Sequence, residues 1–475
     1  MKSFIIKTIC LSILVAILLS MSVSAVPDMN FVIENGEHIN TPVCYSCTQT
    51  ISGLGDANGE FVDASDLYID DNDNIYIADT TNNRILKLDK DGKFVKEFVN
   101  GGTLSGPKSV YVTDNGDLFI SDTKNEQIVH IDNNDTLIET FHKPDSELLS
   151  NMVDFSVEKI AINEQGMIYL VHAQQFMMID AKNEFKGFVG ANKVSFNLKQ
   201  LFIRTFGSEV QKKKMVTEQA STYNSFHIGD NGLIYAVAND KKDQIRILNV
   251  DGENLFPTGS YGEKVEEDKS TWARDPIFVD VVADKNGTIF ALEKHSCLVY
   301  TYTSKGDMVV AFGGIGDITG KFTNPVAVDI NSEGEVYVLD SANGSIHKFE
   351  PTSYMNSILE AYKLFEDGKY EESKQKWNSV LDINVNCSLA SSAMGNILFK
   401  QEKYKEAMSY YKDANDKTGY AKAFSKYRHG LFREYFGWIV IAIVTLVVGI
   451  YLFIKLLFKK GKKIMDTYYY GGKKR

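Results

Sequence analysis

A few residues have types and spacings that could do chemistry. Cys44-x-x-Cys47 is half of a zinc site, and no second pair follows it; Cys297 and Cys387 stand alone. An oxidising compartment would permit a disulfide among these four, with the pairing left open. Asp70-Asp-Asn-Asp-Asn74 has the oxygen density of a calcium loop. It lacks the twelfth-position Glu and runs at once into a strand, so it reads as a hairpin turn. Lys212, Lys213 and Lys214 could bind an anion such as a phosphate-bearing wall polymer, or could be a solvated helix end. Asp79, Asp122 and Asp340 each end a short apolar segment, where a carboxylate accepts backbone N–H groups and fixes the next turn. His172 and Glu293 stand at the corresponding ends of two further segments and could present a ligand contact instead. No Gly-x-Ser-x-Gly, His-Glu-x-x-His or phosphate loop occurs, so no catalytic constellation can be read.

The elements that must position these residues form a repeat. An apolar strand, a turn of Asp, Asn or Gly and a second strand with an early aromatic recur six times. The aromatics are Tyr76, Phe119, Tyr169, Tyr235, Phe290 and Tyr337. Third strands follow, among them Arg84–Leu88, Gln127–Ile131, Gln244–Leu248 and Ser345–Phe349. Six units of about four strands each predict a β-propeller. The last unit has only three strands before helical sequence begins. The spare strand Tyr45–Ile51, ahead of the first unit, is expected to pair with it and close the ring.

The segments Ile77-Ala-Asp79-Thr-Thr-Asn82, Ile120-Ser-Asp122-Thr-Lys-Asn125 and Val338-Leu-Asp340-Ser-Ala-Asn343 resemble the NHL repeat. Gly106-Pro107 and Asn324-Pro325 fit its loop before the first strand. Units three, four and five depart from it, with His172, Ala238 and Glu293 at the Asp position. The resemblance covers about residues 45–350 and implies fold more strongly than activity. Propeller enzymes of the gluconolactonase type bind a divalent ion on the axis through carboxylate and Asn ligands. That resemblance implies a candidate set here, Asp66, Glu158 and Asn224, for a cation such as calcium.

The wide gap between the third and fourth aromatics marks an insertion at residues 191–222. Leu198, Leu201, Phe202, Phe206 and Val210 have helical spacing ahead of the lysine run. Propeller connectivity places it on the face of the Asp-bearing turns, away from the cell. With Thr222–Phe226 it is similar to a group of exported NHL proteins of Gram-positive bacteria, which often lie beside transporter genes.

After the propeller, expected over residues 26–350, the strand pattern stops. Gly368-Lys-Tyr370-Glu-Glu-Ser373 and Glu402-Lys-Tyr404-Lys-Glu-Ala407 are 34 residues apart, the tetratricopeptide period. Residues 353–434 are therefore expected to form tetratricopeptide-like helical hairpins. Gly395 and Ala407 would let paired helices approach, and a helix over 421–434 would cap them.

The ends set the expected compartment. Lys2 and Lys7 precede an apolar run, and Val23-Ser24-Ala25 suits a cleavage site, so residues 1–25 read as a signal peptide. Phe436–Ile454 carries no charge over 19 residues, about 28 Å of helix. Lys459, Lys460, Lys462 and Lys463 follow it and predict a cytoplasmic tail over 459–475. The expectation is a single-pass cell-membrane protein, anchored over 435–458, with its bulk outside a bacterial cell.

Composition agrees. Hydrophobic residues are 44% and charged residues 24%, which excludes a disordered chain or coiled coil. The net charge of −11 argues against nucleic-acid binding. Residues 26–434 alone carry 41 bases and 61 acids, a net of −20. The function expected is a binding or scaffold protein at the membrane, the propeller recognising a ligand or partner. The helices would dock a membrane component such as a transporter. The alternative is a metal-dependent propeller hydrolase.

Overall fold

The computed structural model describes residues 30–470 apart from 35, 54–58, 151, 191–220 and 267–272. The expected signal peptide, most of the insertion with Lys212, Lys213 and Lys214, and the end of the tail lie outside the described residues. The chain divides into two compact units, Met1–Asn356 and Ser357–Arg475.

The first unit is a six-bladed β-propeller. Blade one comprises Asp66–Ile69, Ile75–Asp79, Arg84–Leu88 and Phe94–Phe98, paired antiparallel in that order. The first strands of the six blades pack each against the next and close a ring about the axis. The last blade holds Pro325–Ile330, Val336–Asp340 and Ser345–Pro351, and its fourth strand is the N-terminal Tyr45–Ser52. Closure is as the spare strand predicted. Backbone pairing between the two ends of the propeller leaves no open joint.

Short-range chemistry sets the strands. Eight hairpin turns begin with Asp or Asn, at 70, 89, 132, 163, 180, 249, 284 and 331. In each the side-chain oxygen accepts the N–H groups two and four residues on. These Asx turns reverse the chain at fixed intervals and favour hairpins over helices. The aromatics early in the second strands fill the joints between blades. Tyr76 packs with Val110 and Leu118 of blade two, and Tyr169 with Tyr223 and Phe226 of blade four. Tyr337 packs with Leu67 and Ile69 of blade one. Truncating any of them to Ala would cost about 3–5 kcal/mol.

Two details differ from the expected four strands per blade. Blade four has three regular strands, and its outer edge is covered by one bridge, Leu248 to Asn254, and the chain that follows. Blade five has six strands, because the hairpin Phe31–Glu34 and Glu37–Asn40 adds to its outer edge.

Five helices follow, α1 (Ser353–Glu366), α2 (Tyr370–Ile383), α3 (Ser388–Lys400), α4 (Tyr404–Asp413) and α5 (Lys417–Tyr470). In α3, Gly395 admits the Tyr411 ring of α4; a Cβ there would lie 2.8 Å from its Cδ1. Leu398, Ala407, Tyr411 and Ala423 form the core joining α3, α4 and α5. The 54-residue α5 contains a stretch long and apolar enough to cross a membrane, and it is unburied.

Candidate functional site

Six residues, one from each first strand, stand ten positions before the six aromatics: Asp66, Ser109, Lys159, Ser225, Asp280 and Ala327. They hold equivalent places in the strand pairing. Around the axis they read Asp, Ser, Lys, Ser, Asp, Ala, symmetric about Lys159. A second set, two residues further on, is Tyr68, Tyr111, Ala161, His227, Val282 and Asp329. Residues two apart on a strand share a face, so these sets form successive layers of one channel.

Lys159, in blade three, reaches across the axis. Its Nζ lies 2.7 Å from Asp66 Oδ1 of blade one and 3.7 Å from Asp280 Oδ1 of blade five. Ser109 Oγ donates to Asp66 Oδ2 at 2.6 Å, and Ser225 Oγ donates to Asp280 Oδ1 at 2.6 Å. Each carboxylate also accepts a backbone N–H from the next blade: Val110 to Asp66, Val328 to Asp280 and Ile69 to Asp329. The channel is thus a set of bonds between blades.

Electrostatics follow from burial. Burial opposes the charge on Lys159, but Asp280 and Asp66 more than offset it and hold the ammonium above the usual lysine range. Burial raises the Asp280 carboxyl despite the ammonium beside it. Burial pushes Asp329 up to about 7, against the backbone N–H groups of Ile330 and Ile69. Burial, helped by Lys159, lowers His227 to about 4, so this imidazole is neutral at physiological pH.

The expected metal ligands do not gather. Asp66 is bound to Lys159, Ser109 and Val110. Asn224 and Asn239 exchange amide hydrogen bonds at 2.8 and 2.7 Å, and Asn224 Nδ2 also donates to Phe278 O. Glu158 is exposed at the rim. The three have no partner in common among the described residues. The physical reason is strand alternation: residues 158 and 224 directly precede Lys159 and Ser225, which hold the layer of Asp66, and successive side chains on a strand point to opposite faces. Among the described residues no group of three His, Cys, Asp or Glu is placed to hold a metal ion.

The strand-end acids hold the loops. Asp79 accepts from Val62 N, Asn82 Nδ2 and Arg84 Nε, and Asp122 from Ser105 N, Asn125 Nδ2 and Gln127 Nε2. Asp340 accepts from Thr323 N, Asn324 N and Asn343 Nδ2. Glu293 does the same work, taking Ile277 N and the Ser296 hydroxyl. His172 holds its loop by the opposite polarity, its Nδ1 lying 2.9 Å from Ser156 O. Both are buried at loops rather than presented outward. On the face carrying these loops, Val62, Leu148, Val153, Ile315 and Ile318 are exposed; Val153 is 98% accessible.

Sequence reasoning missed Ser109, Lys159, Ser225, Asp280, His227 and Asp329. Their constant distance before the repeat aromatic, ten or eight residues, is the signal that marks them.

The NHL repeat family matches residues 61–88 and 322–349. No curated protein matches the chain in sequence. Among solved structures, a streptogramin B lyase is similar at 14% identity and TM-score 0.39, covering 67% of this chain and 85% of its own. A virginiamycin B lyase from Staphylococcus aureus is similar at 11% identity and TM-score 0.39, with coverage of 65% and 89%. The WD40 β-propeller domain of Doa1 is similar at 12% identity and TM-score 0.38, covering 66% and 98%.

Proposed function

We propose, for a chain that carries NHL repeats on a six-bladed β-propeller, a binding function at a membrane. The propeller takes a protein partner on the face of the Asp-held loops. The α1–α4 hairpins, read as tetratricopeptide-like, dock a membrane component such as a transporter. The apolar part of α5 anchors the chain, with the propeller outside and the lysine-rich end in the cytoplasm.

The observation that carries this reading is the exposed apolar set Leu148 and Val153, on a loop held by buried His172, and Ile315 and Ile318, on a loop held by buried Asp340. Loops on a fixed scaffold are where propellers and other frameworks place recognition. Apolar side chains left in water there gain free energy when a partner covers them.

A photoreactive residue placed at Val153, with one at Val250 on the opposite turns as control, tests it in cells. The expected result is one discrete crosslinked species from 153 that 250 does not give. Equal labelling from both positions, or turnover of lactones by the purified chain with a divalent ion, would overturn it.

A further inference from the structure

The channel has a charge imbalance. Asp66, Asp280 and Asp329 face a single ammonium, that of Lys159, and the neighbouring His227 is neutral. An excess of ionised carboxylates away from water is costly and calls for a compensating positive charge. All six carboxylate oxygens already accept protein donors. Asp66 takes Lys159 Nζ on Oδ1, and the Ser109 hydroxyl and Val110 N–H on Oδ2. Asp280 takes the Ser225 hydroxyl and Val328 N–H. Asp329 takes Ile69 N–H at 2.7 Å and Ile330 N–H at 2.8 Å. Oxygens turned towards hydrogen donors are poorly placed for a metal ion, whereas a proton needs only one further lone pair.

Lys159 contacts Asp66 and lies near Asp280, but among the described residues no basic side chain contacts Asp329. We infer that Asp329 is a proton-binding site that halves the excess negative charge of the channel, from −2 to −1, and sets the strength of ring closure. Asp329 belongs to blade six, and its Oδ2 bonds to Ile69 of blade one, across the joint that the N-terminal strand closes.

The groups around it come from several strands. Asp66 and Tyr68 face it from blade one, Asp280 from blade five, Lys159 from blade three and His227 from blade four. Tyr111 lies beside Tyr68, 5.2 Å between ring centroids. Tyr337 is its cross-strand partner, with the hydroxyl directed to Glu335. Asp340 and Glu293, at neighbouring strand ends, are turned to their loops. Burial holds the proton on Asp329, with a smaller contribution from the Asp280 charge, against the N–H groups of Ile330 and Ile69 and the Lys159 ammonium.

The proton comes from solvent, and no other bond changes. A carboxyl raised in the folded state binds a proton that the unfolded chain has released. The stability it contributes is fully present below about 4, the unfolded carboxylate value. It is lost as pH rises through the folded value, near 7. The propeller is therefore tighter in mildly acidic surroundings. This inference stands independently of any partner on the loop face.

The test uses the full chain in a mild detergent. Melting midpoints from pH 5 to 8.5 should fall more for the native protein than for Asp329→Asn, by roughly 5–10 °C over the range. Parallel profiles would overturn the proposal. Should Asp329→Asn fail to fold, carboxyl-carbon NMR of the native chain replaces it. One aspartate titrating near neutrality supports the site, and completion of every aspartate below pH 5 overturns it.

Discussion

The propeller buries aspartates in two regions, and they are stabilised differently. At the loop face, Asp79, Asp122 and Asp340 take donors from their own blade, within 17 residues along the chain. In the channel, Asp66 takes donors 43 and 93 residues away, and Asp329 takes one 260 residues away. The first kind shapes a blade. The second exists only once six blades meet, so it reports and reinforces closure of the ring. The same side chain thus serves local turn geometry in one place and long-range assembly in another.

The largest effect should come from Lys159→Ala, which strands Asp66 and Asp280 without their shared counter-charge. A loss of about 3–5 kcal/mol in denaturant titrations is expected. The triple change Lys159→Met, Asp66→Asn, Asp280→Asn should recover most of it, because the desolvation cost of the charges goes with them. If the single change is silent, the channel contributes nothing to closure and its acids do not differ in role from those of the loops.

Asp122→Ala should cost less, about 2 kcal/mol, by leaving the Ser105 N–H unsatisfied beside a buried strand end. Hydrogen exchange should show protection lost at the loop near residue 105 with the channel undisturbed. Asn125→Ala removes one donor to the same carboxylate and should cost about 1 kcal/mol. Spread of either effect to the distant blades would erase the distinction between local and ring-wide acids.

The smallest effect sets a third kind of acid, in a hairpin turn on the opposite face, against the channel by sign of pH dependence. In the exposed turn acid Asp132, the Thr136 N–H leads a set of hydrogen bonds that lower the carboxyl below its usual range. Its contribution is present above the unfolded carboxylate value and is lost as pH falls. Asp132→Asn should therefore flatten the acid limb of a stability profile, opposite to Asp329→Asn at the neutral end.

Several features were legible because their causes are local. The Asp-x-x-Asn spacing places Asn82, Asn125 and Asn343 against Asp79, Asp122 and Asp340, three residues back. Alternating strands, Asx turns and the spare strand Tyr45–Ile51 were readable for the same reason. The helix-packing role of Gly395 was visible from its size and its place in the repeat. The hairpin at Phe31–Asn40 was not, because its destination is the outer edge of blade five, where Phe31 pairs with Ala311, 280 residues on. The metal set went astray by one residue: Glu158 and Asn224 stand eleven positions before their aromatics where Asp66 stands ten, a difference the spacing does display.

The chain by itself determined six repeats, their turn chemistry, the aromatic that fills each joint and the order of propeller, helices and apolar segment. Period-two patterning and side-chain-to-backbone bonds act over a few residues and are written in the order of the letters. The tertiary structure alone decided that Asp66, Lys159, Asp280 and Asp329 share one channel, and which of them carries an ammonium at its side. Charges interact through space, and only closure of the ring turns a constant spacing before each aromatic into a layer of facing side chains.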